Sequence, residues 1–380
     1  MSITFKAEPE VPAGAPVYAP SATVEEFIYA VAGGPATEFR LLMLMSSKGE
    51  GKLQPLDAPV LTPTGWVKIG DLVPGDHVIA ADGRATAVVG VFPQGVMPFW
   101  RLRFSDGSAA IVGEDHLWEV ETHWDRLGRP EAHRCRGPVR IVPYRRRPPM
   151  RPGPKIVTTR EIREALVSGR WRQSGRWSIP LIAAVEFSPR PAPPLNPYLL
   201  GVLLGDGGLT SPYSVRLTTA DQELLSRVAS ALPCGAQLRR RDGIDFTIVG
   251  SGRVGGNPVL NALRGLSLLG HGAASKFVPK DYLWAAPAMR LAVLQGLLDT
   301  DGTILRHSAS VSFTTVSAQL AGDVAFLIQS LGGLAPTRTR ITQYTHKGER
   351  RSGRLSYHVS VRLPNGVAPF RLRRKAARVR

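Results

Sequence analysis

The sequence has few cysteines, no long apolar runs and a shortage of acidic residues. Two cysteines in 380 residues, Cys135 and Cys234, argue against a disulfide framework and predict an intracellular setting. No signal-peptide pattern opens the chain, and its apolar runs are shorter than the roughly 18 residues that a membrane-spanning helix needs. These absences predict a cytoplasmic protein with no membrane segment.

Acidic residues are outnumbered, because 30 Asp and Glu stand against 48 Lys and Arg, giving a formal net charge of +18. A surplus of this size favours a polyanionic partner, most often nucleic acid, because basic side chains neutralise phosphates and release counterions. Composition alone leaves open the alternative of a soluble protein that is merely basic. The positions of the arginines along the chain therefore have to decide between a nucleic-acid-binding protein and a merely basic one.

The sequence contains one motif written twice. Residues 199–207, LLGVLLGDG, share their layout with residues 294–302, LQGLLDTDG. Each is an apolar helical run with an internal glycine, closed by an aspartate and a glycine, and the interval between the copies is that of a half-domain. Two halves brought together would place Asp206 and Asp301 side by side, which is one way to hold a divalent metal over a phosphodiester.

The glycines and aspartates of both copies need a physical explanation. A glycine inside a helix costs roughly 1 kcal/mol of helix propensity, so we expect the two helix backbones to approach closely at Gly201, Gly205 and Gly296. The Asp-Gly pairs predict helix C-termini with Gly207 or Gly302 in the left-handed capping position. Aspartates at that end repel the negative helix terminus, and each other, unless a cation lies between them. The alternative is a pair of core helices that end in ordinary Asp-Gly turns.

At these residues the chain resembles the LAGLIDADG homing endonucleases, in the single-chain form with two motifs. Both copies are followed by predicted strands and an amphipathic helix. Residues 276–279, Lys-Phe-Val-Pro, resemble the element that precedes the second motif in intein-borne members. The resemblance covers residues 196–375, with one departure at Leu204, which stands where the first motif often has an aspartate.

The resemblance implies a fold, a reaction and a site. The fold is α+β, a pseudo-symmetric pair of αββαββα halves with two saddle-like antiparallel sheets, and the endonuclease domain is expected to be monomeric. Asp206 and Asp301 would bind Mg²⁺ or another divalent cation and serve in the hydrolysis of both strands of double-stranded DNA. Lys276 would stabilise charge or activate water, and the alternative for it is a surface lysine before a turn.

Arginines concentrate where this part of the chain predicts β-hairpins. Residues 239–246 indicate two short strands around an Asp-Gly turn. Residues 338–344 and 355–362 indicate a second hairpin, with a basic loop over residues 346–354. Strand faces rich in arginine and polar side chains are suited to reading base edges in the major groove.

The two-residue period of a strand places Arg338, Arg340, Thr342 and Tyr344 on one face. We expect that face to meet DNA, and a solvated strand face is the alternative for any one of these residues. The candidate DNA-binding residues are Arg239, Arg241, Arg338, Arg340, Tyr344, Lys347, Arg350 and Arg351.

Residues 53–120 contain a second sequence pattern, different from the repeated motif. Short apolar segments separated by Pro, Gly and Asp turns predict an all-β module. The string resembles the N-terminal part of a Hint domain, the self-splicing part of an intein. In that family a cysteine or serine nucleophile stands where this chain has Pro55, and a threonine where it has Gly113, so that only His116 matches. Because proline offers no side-chain nucleophile, splicing is expected to be lost and His116 to be a structural relic.

The segment before this module resembles a phosphate-binding loop. Residues 46–53, SSKGEGKL, follow an apolar run and are similar to the Gly-Glu-Gly-Lys loop of phage terminase large subunits, a known kind of site for intein insertion. Ser46 and Leu53 replace the first glycine and the magnesium-binding hydroxyl of a working loop. We therefore interpret it as host-protein sequence, which implies a phage- or prophage-encoded protein in a bacterial host cell.

The predicted function is site-specific cleavage of both DNA strands by metal-dependent hydrolysis, within an intein-like element that no longer splices. Two alternatives stay open: a nucleic-acid-binding protein that does not cut, and residual splicing with a partner that supplies the missing Hint half. Residues 159–166 also predict a capped amphipathic helix. The predicted parts are a partly disordered host remnant (1–52), a partial Hint module (53–120), a basic linker with an accessory element (121–195) and the two-motif endonuclease domain (196–375).

Overall fold

In a computed structural model, the described part of the chain comprises residues 2–7, 28–30, 40–46, 51–96, 99–121, 155–167, 177–251, 256–305, 310–346 and 349–379. Several predicted segments lie outside it: residues 8–20 of the disordered stretch, Gly49 and Glu50 of the Gly-Glu-Gly-Lys segment, residues 122–154 of the basic linker, and Lys347. The chain divides into two compact units, Met1–Ala80 with Ala85–Leu181, and Ala81–Arg84 with Ile182–Arg380. No helix in the described ranges has the length and apolarity to span a membrane.

The first unit is built from antiparallel strands, because its short apolar segments are interrupted by Gly, Pro and Asp turns. The elements are β1 (Ser2–Ala7), β2 (Ile28–Ala30), β3 (Arg40–Ser46), β4 (Gly51–Pro55), β5 (Pro59–Thr62), β6 (Gly65–Lys68), a 3₁₀ turn (Ile69–Asp71), β7 (His77–Ile79), β8 (Ala85–Val96), β9 (Phe99–Phe104), β10 (Ala109–Gly113), β11 (Leu117–Val120), β12 (Lys155–Thr158), α1 (Thr159–Val167) and β13 (Ser178–Pro180). One sheet has the order β10-β9-β1-β13, with β2 on β9, and another has the order β4-β3-β8-β7. Strands β5–β6 and β11–β12 form two-stranded ribbons.

Two apolar clusters stabilise this unit. One gathers around Ile69, Leu72 and Val78, and the other joins the β9 residues Trp100 and Leu102 to residues of β10, β11 and α1. Between residues 53 and 120 the described elements are strands and one 3₁₀ turn, which is the all-β character that the turn-rich sequence predicts. Assignment of this stretch to a Hint domain stays a prediction.

The predicted helix at 159–166 is confirmed as α1. Its N-terminus carries a reciprocal cap, since the Glu161 N–H donates to Thr158 Oγ1 at 3.1 Å and the Thr158 N–H donates to Glu161 Oε2 at 2.6 Å. Such a capping box satisfies backbone donors that the first helical turn leaves without partners. The residues that start this helix are neighbours in the sequence, so the helix can be predicted from the sequence alone.

The second unit contains two successions of helix, two strands, helix, two strands and helix. The elements are α2 (Pro197–Gly205), β14 (Gly207–Gly208), β15 (Val215–Thr218), α3 (Gln222–Ala231), β16 (Ala236–Asp242), β17 (Asp245–Gly250), α4 (Pro258–Gly265), α5 (Lys280–Leu283), α6 (Pro287–Asp301), β18 (Gly302–Ile304), β19 (Val311–Thr315), α7 (Ala318–Ser330), β20 (Thr337–His346), β21 (Glu349–Val361) and α8 (Arg373–Ala376). One antiparallel sheet has the order β14-β15-β17-β16, and the other has the corresponding order β18-β19-β21-β20. The architecture is mixed helix and antiparallel sheet, as predicted.

One apolar core runs through this unit. It takes one face of each sheet, including Leu217, Ile248, Phe313 and Val359, together with both motif helices. Helix α2 is buried along almost its whole length. Because apolar side chains surround it on all sides, the run predicted from residues 199–204 is a core helix rather than a surface one.

Both predicted hairpins are present. The first turns at Gly243, whose φ of 45° lies in the left-handed region that a tight Asp-Gly turn requires. In the second, the predicted loop over residues 346–354 is wrong. Strand β21 already begins at Glu349 and pairs with β20 across an irregularity between Ile341 and Gln343, so Arg350 and Arg351 lie in a strand. Alternation along a strand does not indicate an irregularity in the pairing, so the sequence pattern places the start of this strand too late in the chain.

Candidate metal site and DNA interface

Helices α2 and α6 touch backbone to backbone through their glycines. A Cβ at Gly201 would lie 3.0 Å from the Cα of Gly296, and one at Gly296 would lie 2.7 Å from the Val202 nitrogen. A Cβ at Gly205 would overlap the side chain of Thr300. The close approach predicted from the motif glycines is confirmed, and it accounts for residues that weaken each helix locally.

The motif aspartates lie at the ends of these two helices. Asp206 follows α2 directly, and its N–H donates to the Val202 carbonyl at 3.0 Å. Asp301 is the last residue of α6. Its Oδ2 would be 3.3 Å from a Cβ at Gly205, so this carboxylate reaches the end of the opposite helix.

The predicted left-handed capping role of Gly207 and Gly302 is wrong. Gly302 is extended, with φ −71° and ψ 130°, and Gly207 is not among the glycines with positive φ. Both residues begin strands, and a Cβ would lie 2.8 Å from the Cα of Leu203 in one copy and 2.9 Å from the Cα of Leu298 in the other. Glycine is needed here for space against the preceding helical turn.

The two aspartates influence each other's ionisation. Partial burial raises the pKa of Asp301 to about 6, the Asp206 carboxylate adds to the rise, and Lys276 and Lys375 oppose it. Burial also raises the pKa of Asp206 above its ordinary value, again against the two lysines. Both aspartates remain solvent-exposed residues. Two acids that disfavour each other's charge, yet face solvent, form a site that a cation would stabilise.

Lys276 is held under the end of the first motif. It is 7% exposed, and its Nζ donates to the carbonyls of Leu203 at 3.4 Å, Gly205 at 2.9 Å and Gly207 at 2.8 Å. Burial lowers its pKa, while Asp301 and Asp206 raise it. The alternative of a surface lysine is therefore wrong, because this ammonium is buried, fully hydrogen-bonded and close to both acids.

A second lysine, missed from the sequence, occupies the corresponding place under the second motif. Lys375 is 8% exposed, and its Nζ donates to the carbonyls of Leu298 at 2.8 Å, Thr300 at 3.2 Å and Gly302 at 2.8 Å. Burial lowers its pKa to about 8. The signal available in the sequence was slight: it is the one lysine in the arginine-rich stretch 371–380.

The donor set at the helix ends fits a hard cation that also binds phosphate. Among the described residues there is no group of three or more His, Cys, Asp or Glu that could enclose a metal ion. Two carboxylates leave most coordination positions to carbonyl oxygens, water or substrate, which is the arrangement that Mg²⁺ and similar cations adopt with phosphates. Asp206 and Asp301 are the residues that would hold it.

The outward faces of the two sheets carry the predicted basic residues. In the second sheet Arg338 pairs with His358 and Arg340 with Ser356, on the face opposite the buried Val359. Thr314 Oγ1 lies 3.0 Å from His358 Nδ1 on that face. Arg350 and Arg351 lie farther out on β21. Tyr344 belongs to β20, and its side chain lies outside the described part of the structure.

The first sheet adds an arginine that the sequence analysis did not select. Arg216 on β15 and Arg239 on β16 both pair with Thr247 on the central strand β17. All three face away from the buried Leu217 and Ile248. Thr247 Oγ1 is buried and has no hydrogen-bond partner within the described ranges. Arg241 lies at a register shift in β16. The alternation of Val215–Thr218 contained the signal for Arg216.

His116 belongs to the first unit. It is buried, and its ring packs at 4.6 Å from the Trp118 ring. Its carbonyl accepts the Thr159 N–H at 3.0 Å, and so joins β11 to the start of α1. This surrounding is compatible with the structural role predicted for it, which stays a prediction.

Comparison with known proteins gives a family at the second motif. Residues 288–362 match the model of the LAGLIDADG-like domain. The chain is 30% identical over 337 residues to the replicative DNA helicase DnaB of Mycobacterium intracellulare, covering 88% of this chain and 51% of that protein. It is 35% identical over 82 residues to DnaB of Mycobacterium leprae (strain TN), covering 21% and 13%. The chain thus spans about half the length of the first relative, and less of the second.

Solved structures of the homing endonuclease I-DmoI also match. Its complex with DNA and Ca is 14% identical, with a TM-score of 0.33, over 48% of this chain and 95% of that one. Mesophilic variants of I-DmoI are 14% identical, with a TM-score of 0.30, over 44% and 88%. The match at residues 288–362 is to the family that the repeated motif predicts.

Proposed function

We propose that this chain is a site-specific homing endonuclease that hydrolyses both strands of double-stranded DNA with a divalent cation. The observation that carries the proposal is the pair of exposed aspartates at the ends of α2 and α6, each beside a buried lysine. The LAGLIDADG-like domain at residues 288–362 supports it. Paired half-domains would place one such acid near each scissile phosphate.

The residues have distinct tasks in this proposal. Asp206 and Asp301 would hold a divalent cation, preferably Mg²⁺, which would supply a lower pKa for a bound water and charge stabilisation for a leaving oxygen. Lys276 and Lys375 each use their ammonium hydrogens on three backbone carbonyls, so their contribution is fixed positive charge beside the phosphates rather than proton removal. The carbonyl contacts keep that charge in place before DNA binds.

The two sheets are proposed to receive the two halves of the DNA target, as approximately symmetric saddles. Their outward faces present Arg216 and Arg239 in one sheet, and Arg338 and Arg340 in the other. Guanidinium groups on strands can donate to guanine edges in the major groove, and the +18 charge supplies sequence-independent attraction. The endonuclease domain is proposed to act as a monomer, since both halves lie in one chain.

The chain is further proposed to be an intein-like element. A match that takes 88% of this chain but only half of a replicative helicase fits an element inserted in a larger host protein. These relatives are DnaB helicases, so the terminase host suggested by Gly-Glu-Gly-Lys has no support from them. The loss of splicing is proposed from Pro55 at the nucleophile position.

The direct test is cleavage of an uninterrupted host gene. A plasmid carrying a replicative DNA helicase gene without the element is incubated with the purified chain and Mg²⁺. We expect linearisation at one site, and no cutting of the same gene once the insertion interrupts it.

The control is the Asp206→Asn, Asp301→Asn double variant, which should bind the plasmid site without cutting it. If the wild-type chain binds the target specifically but leaves both strands intact at every divalent cation tried, the protein is a non-cleaving DNA-binding protein. A gel of the purified chain shows any self-cleavage in the same experiment.

A further inference from the structure

Asp299 is a buried acid two residues before Asp301, at the place where the first motif has Leu204. It is 1% exposed, and its Oδ2 accepts the Tyr198 hydroxyl at 2.8 Å. Its Oδ1 accepts the backbone N–H groups of Arg371 and Leu372, both at 3.2 Å. The protein itself therefore uses this carboxylate completely, and it is not a third cation ligand.

The two backbone donors begin the segment that carries Lys375. Arg371 is held further by its Nε, which donates to Gln295 Oε1 at 2.7 Å, and its guanidinium lies 4.6 Å from the Tyr198 ring centre. Helix α8 starts two residues later and places the Lys375 ammonium under α6. Asp299 thus fixes the start of the short segment 371–375, and Lys375 is the last residue of that segment.

The first lysine is secured by a different acid. The Val278 N–H, two residues after Lys276, donates to Asp323 Oδ2 at 2.7 Å. Ser317 Oγ donates to the Lys276 carbonyl at 2.7 Å. Asp323 is 4% exposed, and it lies on α7, in the half that contains the second motif. One lysine segment is therefore held by the second motif helix itself and the other by the helix after it.

We infer that Asp299 and Asp323 are positioning residues, each setting one of the two lysines and hence the cleavage rate of one DNA strand. The inference rests on the proposed endonuclease function. Among the described residues, the Lys276 ammonium donates to carbonyls at the end of α2 and the Lys375 ammonium to carbonyls at the end of α6. Both lysines act electrostatically on both motif aspartates, but each is hydrogen-bonded under one motif, so we infer one strand for each. Loss of one anchor should slow one strand, and the enzyme should become a nicking enzyme.

The experiment compares Asp299→Leu with Asp323→Leu on a duplex with differently labelled strands. Asp299→Leu gives the second motif the residue that the first motif has at the corresponding position, Leu204, two residues before Asp206. A leucine at this position is therefore compatible with a motif aspartate. We expect each variant to slow one strand at least about tenfold relative to the other, and the two variants to affect opposite strands. Asp299→Asn and Asp323→Asn keep an acceptor oxygen and should lie nearer the wild type.

A readout without cleavage separates this inference from the proposed function. Hydrogen exchange of the Arg371 and Leu372 amides should speed up about tenfold in Asp299→Leu, and that of the Val278 amide in Asp323→Leu, each leaving the other segment unchanged. Equal slowing of both strands, or unchanged exchange in both segments, overturns the inference. If the wild type cuts neither strand the proposed function fails, and the exchange rates still decide whether these acids position the lysine segments.

Discussion

The two motif helices end in the same functional groups but differ in length and in the residue two positions before the aspartate. Each ends in an aspartate and glycine, with a lysine donating to three carbonyls at equivalent places. Helix α2 has nine residues and holds Leu204 near its end, whereas α6 has fifteen and holds the buried Asp299. The parts that would face the phosphates are matched, and the parts behind them are not. The scaffold can therefore vary while the reacting groups keep their geometry.

The largest expected effect tests whether the two aspartates are equivalent. Asp206→Asn or Asp301→Asn should each lower cleavage by at least about 10³-fold, roughly 4 kcal/mol in activation free energy, because an amide is a poor cation ligand. Target binding, measured by gel shift in Ca²⁺, should persist. Asp281→Asn, an exposed acid on α5, is the matched control and should cut normally. Substantial cleavage by both single variants would overturn the assignment.

The next effect concerns the contact between the two helices. Gly296→Ala should lower the free energy of unfolding by about 3 kcal/mol, since a Cβ has no room against Tyr198 and Val202 of α2. Gly322→Ala is the control in α7, where a Cβ meets nothing within 4 Å. It should gain roughly 0.5–1 kcal/mol from helix propensity. Urea unfolding followed by circular dichroism measures both, and similar values for the two variants would mean that the glycine contact is loose.

A smaller effect would separate the two sheets as readers of DNA. Arg239→Ala and Arg338→Ala should each relax base preference in one half of the target, by about 1–3 kcal/mol at the base pairs they contact. Arg240→Ala is the control, because its Nε donates to the Gly243 carbonyl and it alternates with Arg239 along β16. Cleavage of a library of single-base target variants gives the preferences. Changes spread evenly over both halves would show that these arginines contact phosphates only.

The smallest effect is the pH dependence of the acid pair. The raised pKa of Asp301, about 6, means that cleavage at limiting Mg²⁺ should fall as pH drops through 6, where the proton competes with the cation. Saturating Mg²⁺ should move the midpoint lower. Without metal the folded state binds more protons than the unfolded state between about pH 4 and 6, so its stability falls as pH rises across that window. A cleavage midpoint near 4 at every Mg²⁺ concentration would contradict the coupling of the two acids.

The motif could be predicted because its pattern is local and occurs twice in the sequence. The residues that act through tertiary contacts with distant parts of the chain could not be predicted. Asp206, Asp301 and the glycine contact follow from one repeated layout. Lys375 could not be found in this way, because its partners are carbonyls more than seventy residues earlier in the chain. The same is true of Arg290, which is fully buried and donates to the carbonyls of Ala285, Ser330 and Val185. No spacing in the sequence indicates such a contact.

The error at Gly207 and Gly302 has a similar origin. The sequence pattern allowed two reasons for glycine after a helix, a positive φ or a lack of room, and only the position of the preceding turn distinguishes them. The length of β21 was missed because an irregularity in the pairing cannot be read from alternation. Both errors concern shape at an element boundary, whereas the two motif helices and the two hairpins were predicted correctly.

The shared core of the second unit has a consequence for cooperativity. Leu199, Leu203, Leu294 and Leu298 belong to one continuous apolar cluster, so neither half has a complete interior without the other. The unit should therefore melt in a single transition. An injury to the packing of either sheet would be felt at both helix ends at once, so the unit would unfold as a whole rather than one half at a time.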